Sequence, residues 1–174
     1  MALNSDDIAL LDPEMQERVE EFIAHCKSAQ FGVLLYSGRR SFEDQARLFR
    51  QGRSMGSIKA KAAELRDKWQ RPDLADILIG VGPQKGKKIV TNAGPGQSDH
   101  NYGGAVDGVP MVGGKPVWGT DSYEDKEVWH QYGMIAISAG LEWAGNWTSF
   151  REYPHLKLPS MDWRELIKDS EYEL

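Results

Sequence analysis

Three features of the chain predict an α+β fold. Apolar residues recur at helical spacing in several separate stretches, the strand-like runs are short and bounded by glycine, and those runs are too few and scattered for a doubly wound sheet. With 174 residues, 40% hydrophobic and 27% charged, the chain has the size and balance of one soluble globular domain. A chain of this length buries roughly 70% of the surface that its unfolded form exposes, so it needs no covalent staples. Its single cysteine, Cys26, excludes an internal disulfide framework and any multi-cysteine zinc site.

Taken in order, Met15, Val19, Phe22, Ile23 and Cys26 fall on one stripe after Pro13 and predict an amphipathic first helix. Gly32-Val33-Leu34-Leu35-Tyr36 reads as a short buried strand. Ser41 is placed to cap a helix whose apolar face is Phe42, Leu48 and Phe49. Ile58, Ala62, Leu65 and Trp69 repeat at helical spacing up to Pro72, which ends or restarts that helix. A glycine- and lysine-rich loop, Gly80 to Lys87, then leads into a predicted strand at Ile89-Val90-Thr91. Ala105 to Val112 is a second strand, broken by Gly108 and turned by Gly113-Gly114. Val128, Trp129, Tyr132, Ile135, Ala136 and Ala139 mark the strongest helix, with Gly140 as its stop. His155 to Leu158 forms a last short strand before a helix capped by Ser160. No internal repeat or low-complexity linker divides the chain, which predicts one domain over residues 1–174.

Charge is unevenly spread. Between Arg39 and Lys88 there are 13 Lys or Arg against 6 Asp or Glu, a balance of +7, whereas the remainder carries 8 against 20, a balance of −12. The net charge of −5 argues against nonspecific nucleic-acid binding, and the basic stretch reads either as a solvated helix face or as a docking face for an anionic surface. Apolar runs such as Met134 to Ala139 are far too short for stable membrane insertion. The opening residues show neither a basic n-region nor an apolar h-region, so no secretory signal is expected.

The densest cluster of reactive types is Gln97-Ser98-Asp99-His100-Asn101-Tyr102-Gly103-Gly104-Ala105-Val106-Asp107, where a loop enters a strand. Alternation along that strand puts Asp107 on one face with Ala105 and Val109. A second cluster is Arg151-Glu152-Tyr153-Pro154-His155, after which His155 and Lys157 face one way and Leu156 and Leu158 the other. Ligation by His100, Asp107 and His155 would leave zinc one open position, the layout of a catalytic site, with Glu152 as the carboxylate that takes a water proton. On spacing alone, with two ligands close and the third remote, the balance favours ordinary loop histidines with solvent or backbone partners. His25 and His130 lie on helices without metal-type spacing and read as structural, while Trp143 and Trp147 read as cleft wall or core.

The run Ser98-x-His100-x-x-Gly103-x-Ala105-x-Asp107 resembles the signature of the VanY-like D-Ala-D-Ala carboxypeptidases and the related phage L-alanyl-D-glutamate endopeptidases. Ser37-Gly38-Arg39-Arg40-Ser41 with Gln45 and Leu48 is similar to the family's upstream SGYRS-type motif. Gln51-Gly52-Arg53 and Ile89-Val90-Thr91-Asn92-Ala93 resemble its connecting segments. Gly140-Leu141-Glu142-Trp143-Ala144-Gly145-Asn146-Trp147, followed by Glu152-Tyr153-Pro154-His155, resembles its tryptophan-rich stretch and closing metal motif. The matches keep their order from Ser37 to Leu158.

The resemblance implies a small antiparallel sheet flanked by helices, the hedgehog or D-Ala-D-Ala peptidase-like fold. It implies Zn2+ held by His100, Asp107 and His155, Glu152 as general base, and Arg40 as the oxyanion-stabilising arginine. Ser98 and Gln45 map onto positions that orient substrate or the site loop, and either could equally serve as a cap or as a hydrogen-bonding support behind the site. The implied partner is bacterial peptidoglycan, cut in its stem peptide by a monomer, with no nucleic acid. Without a signal, the expectation is an endolysin made in the host cytoplasm and acting on the wall after the membrane is permeabilised. That favours L-Ala-D-Glu endopeptidase activity over D-Ala-D-Ala carboxypeptidase activity or a zinc-stabilised wall-binding module. Three departures stand out: Glu152 where phage enzymes often carry aspartate, Arg39 in place of an aromatic, and a longer segment at about 54–88. That segment reads as a basic helical insertion, facing anionic wall or outer-membrane material or simply stabilising the domain.

Overall fold

The computed structural model describes residues 2–83 and 86–169. The chain falls into two compact units: one runs through Arg39 and resumes at Gly103–Met161, and the other comprises Arg40–Tyr102 with the residues from Asp162 onward.

In the first unit the helices are α1 (Ser5–Ala9), α2 (Pro13–Ser28) and α6 (Tyr123–Ser138), and the strands are β1 (Gly32–Ser37), β2 (Ala105–Val112), β3 (Lys115–Pro116), β4 (Glu142–Trp143) and β5 (His155–Lys157). The five strands form one antiparallel sheet in the order β1-β2-β5-β4, with β3 on β2. This is the α+β class with a small antiparallel sheet and flanking helices. Pro13 takes the first turn of α2, where its missing N–H costs nothing, and Asp12 caps Glu14 N. Met15, Val19, Phe22 and Cys26 are buried as expected, but Ile23 is 40% exposed. It sits 100° around the helix from Phe22, past the edge of the apolar stripe. Along α6, Trp129, Tyr132 and Ala136 meet the same core, joined by Leu35, Val106, Val109, Leu156 and Leu158. Phe22 meets Tyr132 edge-on, with ring centroids 5.6 Å apart. Gly140, in the left-handed region at φ +79°, ends the α6 turn as predicted.

Gly108 does not break β2, which runs unbroken from Ala105 to Val112, and Gly113-Gly114 make the turn into β3 with φ of +57° and +75°. Ser160 is not the expected helix cap. Its hydroxyl donates to Glu14, and the short following helix, α7 (Trp163–Leu166), is capped by Asp162.

The second unit holds α3 (Phe42–Arg50), α4 (Met55–Asp67), α5 (Pro72–Gly80), a 3-10 turn at Asp99–Tyr102, and α7. Ser41 and Ser54 cap α3 and α4, and Pro72 opens α5 as a new helix. Phe42, Ala46, Phe49, Ile58, Ala62, Leu65, Leu74, Ala75, Leu78, Tyr102 and Ile167 are buried. Trp69 lies beyond α4, half-buried against Trp163. The Arg71 guanidinium is itself buried, paired with Asp73 at 2.6 Å and donating to the carbonyl of Ile167. The predicted strand at Ile89-Val90-Thr91 is absent: Gln51 Nε2 and Arg53 Nη2 take the carbonyls of Lys88 and Thr91, leaving Ile89 and Val90 exposed. Gly80 belongs to α5 rather than to the loop after it, and Gln84 and Lys85 of that loop lie outside the described residues. No helix among the described residues is long and apolar enough to cross a membrane.

Two glycines shape the first unit. A Cβ on Gly133 or on Gly145 would overlap the Trp143 indole, so this ring lies directly on the backbone of α6. Alanine is the better helix former by about 1 kcal/mol, yet Gly133→Ala is expected to destabilise by about 1–3 kcal/mol through overpacking. Urea denaturation monitored by tryptophan fluorescence checks this, and a neutral or stabilised variant would contradict the close packing. Burial also pushes the Cys26 thiol up to about 11. At pH 8 the native thiol therefore stays protonated and resists iodoacetamide, whereas the unfolded chain is alkylated readily; mass spectrometry with and without urea separates the two.

Candidate metal centre and active site

Antiparallel pairing of β2 with β5 sets Asp107 directly opposite His155. His155 Nδ1 stands 3.3 Å from Asp107 Oδ1, the histidine buried and the aspartate half-buried. The chain before β5 is pinned from three sides. Tyr132 OH donates to Pro154 O at 2.9 Å, Gly108 N donates to the same carbonyl at 3.0 Å, and Trp143 Nε1 donates to Tyr153 O at 2.8 Å. Full burial raises the Tyr132 phenol well above its ordinary pKa, with the Asp107 charge adding to the shift, so the hydroxyl remains a donor. A side chain at Gly108 would crowd both Leu35 and the Tyr132 hydroxyl. Glycine there lets Tyr132 reach Pro154.

Glu152 sits three residues before His155, its backbone carbonyl accepting from His155 N at 3.2 Å. Its carboxylate is half-buried and has no hydrogen bond or ion pair among the described residues. Trp143 is core, as one of its two expected roles required, whereas Trp147 is half-buried with its ring 5.8 Å from that of His155. His25 is tied to Ser138 on α6 at 2.9 Å, and His130 is exposed on that helix.

His100 lies on the 3-10 turn, all four of whose residues are buried. Asp99 accepts from Trp163 N, Asn101 Nδ2 donates to the carbonyls of Arg40 and Ser41, and Tyr102 OH donates to Gly96 O. Arg40 N donates to His100 O at 2.9 Å, so the turn and the start of α3 hold each other. Arg40 Nη1 donates to Gln45 Oε1 at 2.8 Å, and Gln45 Nε2 donates to Ala93 O at 2.8 Å. Gln45, expected to orient substrate or the site loop, is fully buried with both ends of its amide engaged. It supports Arg40 and the loop and does not face solvent. Ser98 is half-buried, and its carbonyl accepts from Asn101 N.

Asp107 and His155 offer two metal-ligating side chains on facing strands of the first unit, and His100 offers an imidazole on the 3-10 turn of the second. Two atoms bound tetrahedrally at about 2.0–2.1 Å stand about 3.3 Å apart, the separation seen between Asp107 and His155. Two imidazoles and a carboxylate suit zinc, and three ligands leave the open position that catalytic sites keep. Missed in the sequence were the positioning roles of Tyr132, Gly108 and Trp143. Each sits on a helix or strand pattern that reads simply as core, and only the folded register brings them to Pro154 and Tyr153.

Residues 91–158 match the family model described as D-alanyl-D-alanine carboxypeptidase. Over 152 residues the chain is 28% identical to the peptidoglycan L-alanyl-D-glutamate endopeptidase CwlK of Bacillus subtilis (strain 168), covering 85% of this chain and 73% of that protein. The solved LdcB LD-carboxypeptidase is 16% identical with a TM-score of 0.50, over 91% of this chain and 64% of that one, a likeness of fold. The zinc(II) complex of the vancomycin resistance D,D-pentapeptidase VanY is 17% identical with a TM-score of 0.47, over 85% and 72%. The family match spans Asp107 and His155, the paired strands that carry them, and the turn that carries His100.

Proposed function

We propose that this protein is a zinc-dependent peptidase that cuts the peptidoglycan stem peptide at L-alanyl-D-glutamate, in the role of a phage endolysin. The observation that carries the reading is the Asp107–His155 pair at 3.3 Å, with the Glu152 carboxylate three residues before the histidine, unengaged among the described residues. The similarity to CwlK supports the choice of bond. His100, Asp107 and His155 would hold the zinc, which when bound would supply Lewis acidity toward a carbonyl and toward water near neutral pH.

The other steps belong to the chain's own side chains. Glu152 takes the proton of the attacking water as the new C–O bond forms. It then returns that proton to the amine as the C–N bond breaks, leaving a carboxylate and a free amine. Arg40, always charged and only a donor, stabilises the negative charge that grows on the carbonyl oxygen. Gln45 holds that guanidinium from behind, and Ser98 orients the substrate chain. A second reading, removal of terminal D-Ala, is favoured by the description of the family model that residues 91–158 match.

Mass spectrometry of fragments released from purified peptidoglycan tests the proposal. Native protein is expected to expose new N-terminal D-Glu, and Glu152→Gln to lower the rate by about 10²–10⁴-fold. Free D-Ala would transfer the assignment to the carboxypeptidase, and no product from zinc-loaded protein would reject both. Dialysis against a chelator should abolish cleavage and stoichiometric zinc should restore it. Asp107→Ala or His155→Ala should lose tight zinc binding in calorimetry. Arg40→Lys is expected to reduce kcat by about 10²–10³-fold, with a smaller effect on KM; unchanged kcat would remove Arg40 from the oxyanion role.

A further inference from the structure

The antiparallel ladder of β4 and β5 pairs Glu142 with Lys157 and Trp143 with Leu156. One more step would set Ala144 opposite His155. The strand stops there instead: Ala144–Asn146 wind into a 3-10 turn, closed by Trp147 N donating to Ala144 O at 3.2 Å. The turn brings Trp147 back so that its ring lies 5.8 Å from the His155 imidazole, tilted by 54°. Its indole Nε1 donates to Glu142 Oε1 at 2.6 Å, a short charge-assisted bond to the first residue of β4. Gly145 is needed within this turn, because a Cβ there would overlap the Trp143 indole.

From this arrangement we propose that Trp147, tethered by Glu142, is a positioning residue for His155. The His155 Nδ1 edge is directed at Asp107. Rotation about the Cβ–Cγ bond would swing that edge away, and the indole occupies space through which the ring must turn. Glu142 fixes the indole because it stands on the strand hydrogen-bonded to β5 itself, so tether and histidine share one rigid frame. The ring is thus oriented before an ion arrives, and the ordering entropy is met on folding and not on binding. The inference rests on the proposed metal centre, which it deepens.

The test combines zinc calorimetry on metal-free protein, thermal melting of the same samples, and histidine side-chain NMR. Trp147→Ala and Glu142→Leu are expected to weaken zinc binding by about 10–100-fold. Glu142→Gln, which keeps a carbonyl acceptor for the indole, should restore affinity to within a few-fold of native. The His155 ring should give one sharp tautomer pattern in native protein and an averaged one in Trp147→Ala. Native-like zinc affinity in Trp147→Ala and Glu142→Leu would overturn the proposal. So would affinity losses that merely track the melting temperature, with Glu142→Gln no better than Glu142→Leu. Should native protein bind no zinc, the metal reading fails by itself. The ring pattern then decides the positioning role: ordered in native and averaged in Trp147→Ala upholds it, and no difference rejects it.

Discussion

The pairing of β2 with β5 is the constraint on which the candidate site depends. An antiparallel ladder allows one residue of each strand to stand directly across from the other, and slipping it by a single position would turn every side chain of one strand to the opposite face. Here the alignment that buries Val106 and Leu156 together is also the one that sets Asp107 against His155. Burial of the core therefore selects the ligand geometry. Hydrophobic free energy, spread over the α2 and α6 faces and the inner face of the sheet, adds to the hydrogen bond between these two polar side chains in holding them together.

Around that register the first unit uses large rings as struts. Tyr132 reaches from α6 to Pro154, Trp143 from β4 to Tyr153, and Trp147 lies against His155. Two of these struts need an absence elsewhere: no side chain on Gly108 for Tyr132, and none on Gly133 or Gly145 for Trp143. The tryptophans of the Leu141-to-Trp147 stretch thus divide their work, Trp143 filling the core and Trp147 addressing a candidate ligand.

The second unit solves a different problem, that of ordering a loop with little regular structure. Between α5 and the 3-10 turn the chain is held by side-chain amides and guanidinium groups: Gln51 to Lys88, Arg53 to Thr91, Gln45 to Ala93. Asn101 and the backbone N–H of Arg40 then fix the His100 turn to the start of α3. Side chains take the carbonyls that flank Ile89-Val90, and this apolar run remains exposed outside the sheet. Part of the basic excess in this region is therefore structural: Arg53 and Arg71 serve as internal hydrogen-bond donors.

The amino-acid order was enough to read the class of fold, most of the helices, β2 to its last residue, the caps at Ser41 and Gly140, and the two clusters that carry His100, Asp107, Glu152 and His155. Those features are local: periodicity, capping and turn chemistry act over a few residues, and a reactive cluster is visible wherever its members are adjacent. Folding alone decided that Ile89-Val90-Thr91 is not a strand, that Asp162 and not Ser160 caps α7, that Gln45 is buried behind Arg40, and that Tyr132, Trp143 and Trp147 converge on the segment leading into β5. For Gln45 and for Tyr132 the deciding partner lies far along the chain, 48 residues away at Ala93 and 22 at Pro154. Competition among distant donors and acceptors for a buried position has no local signature, so only the folded chain could settle it.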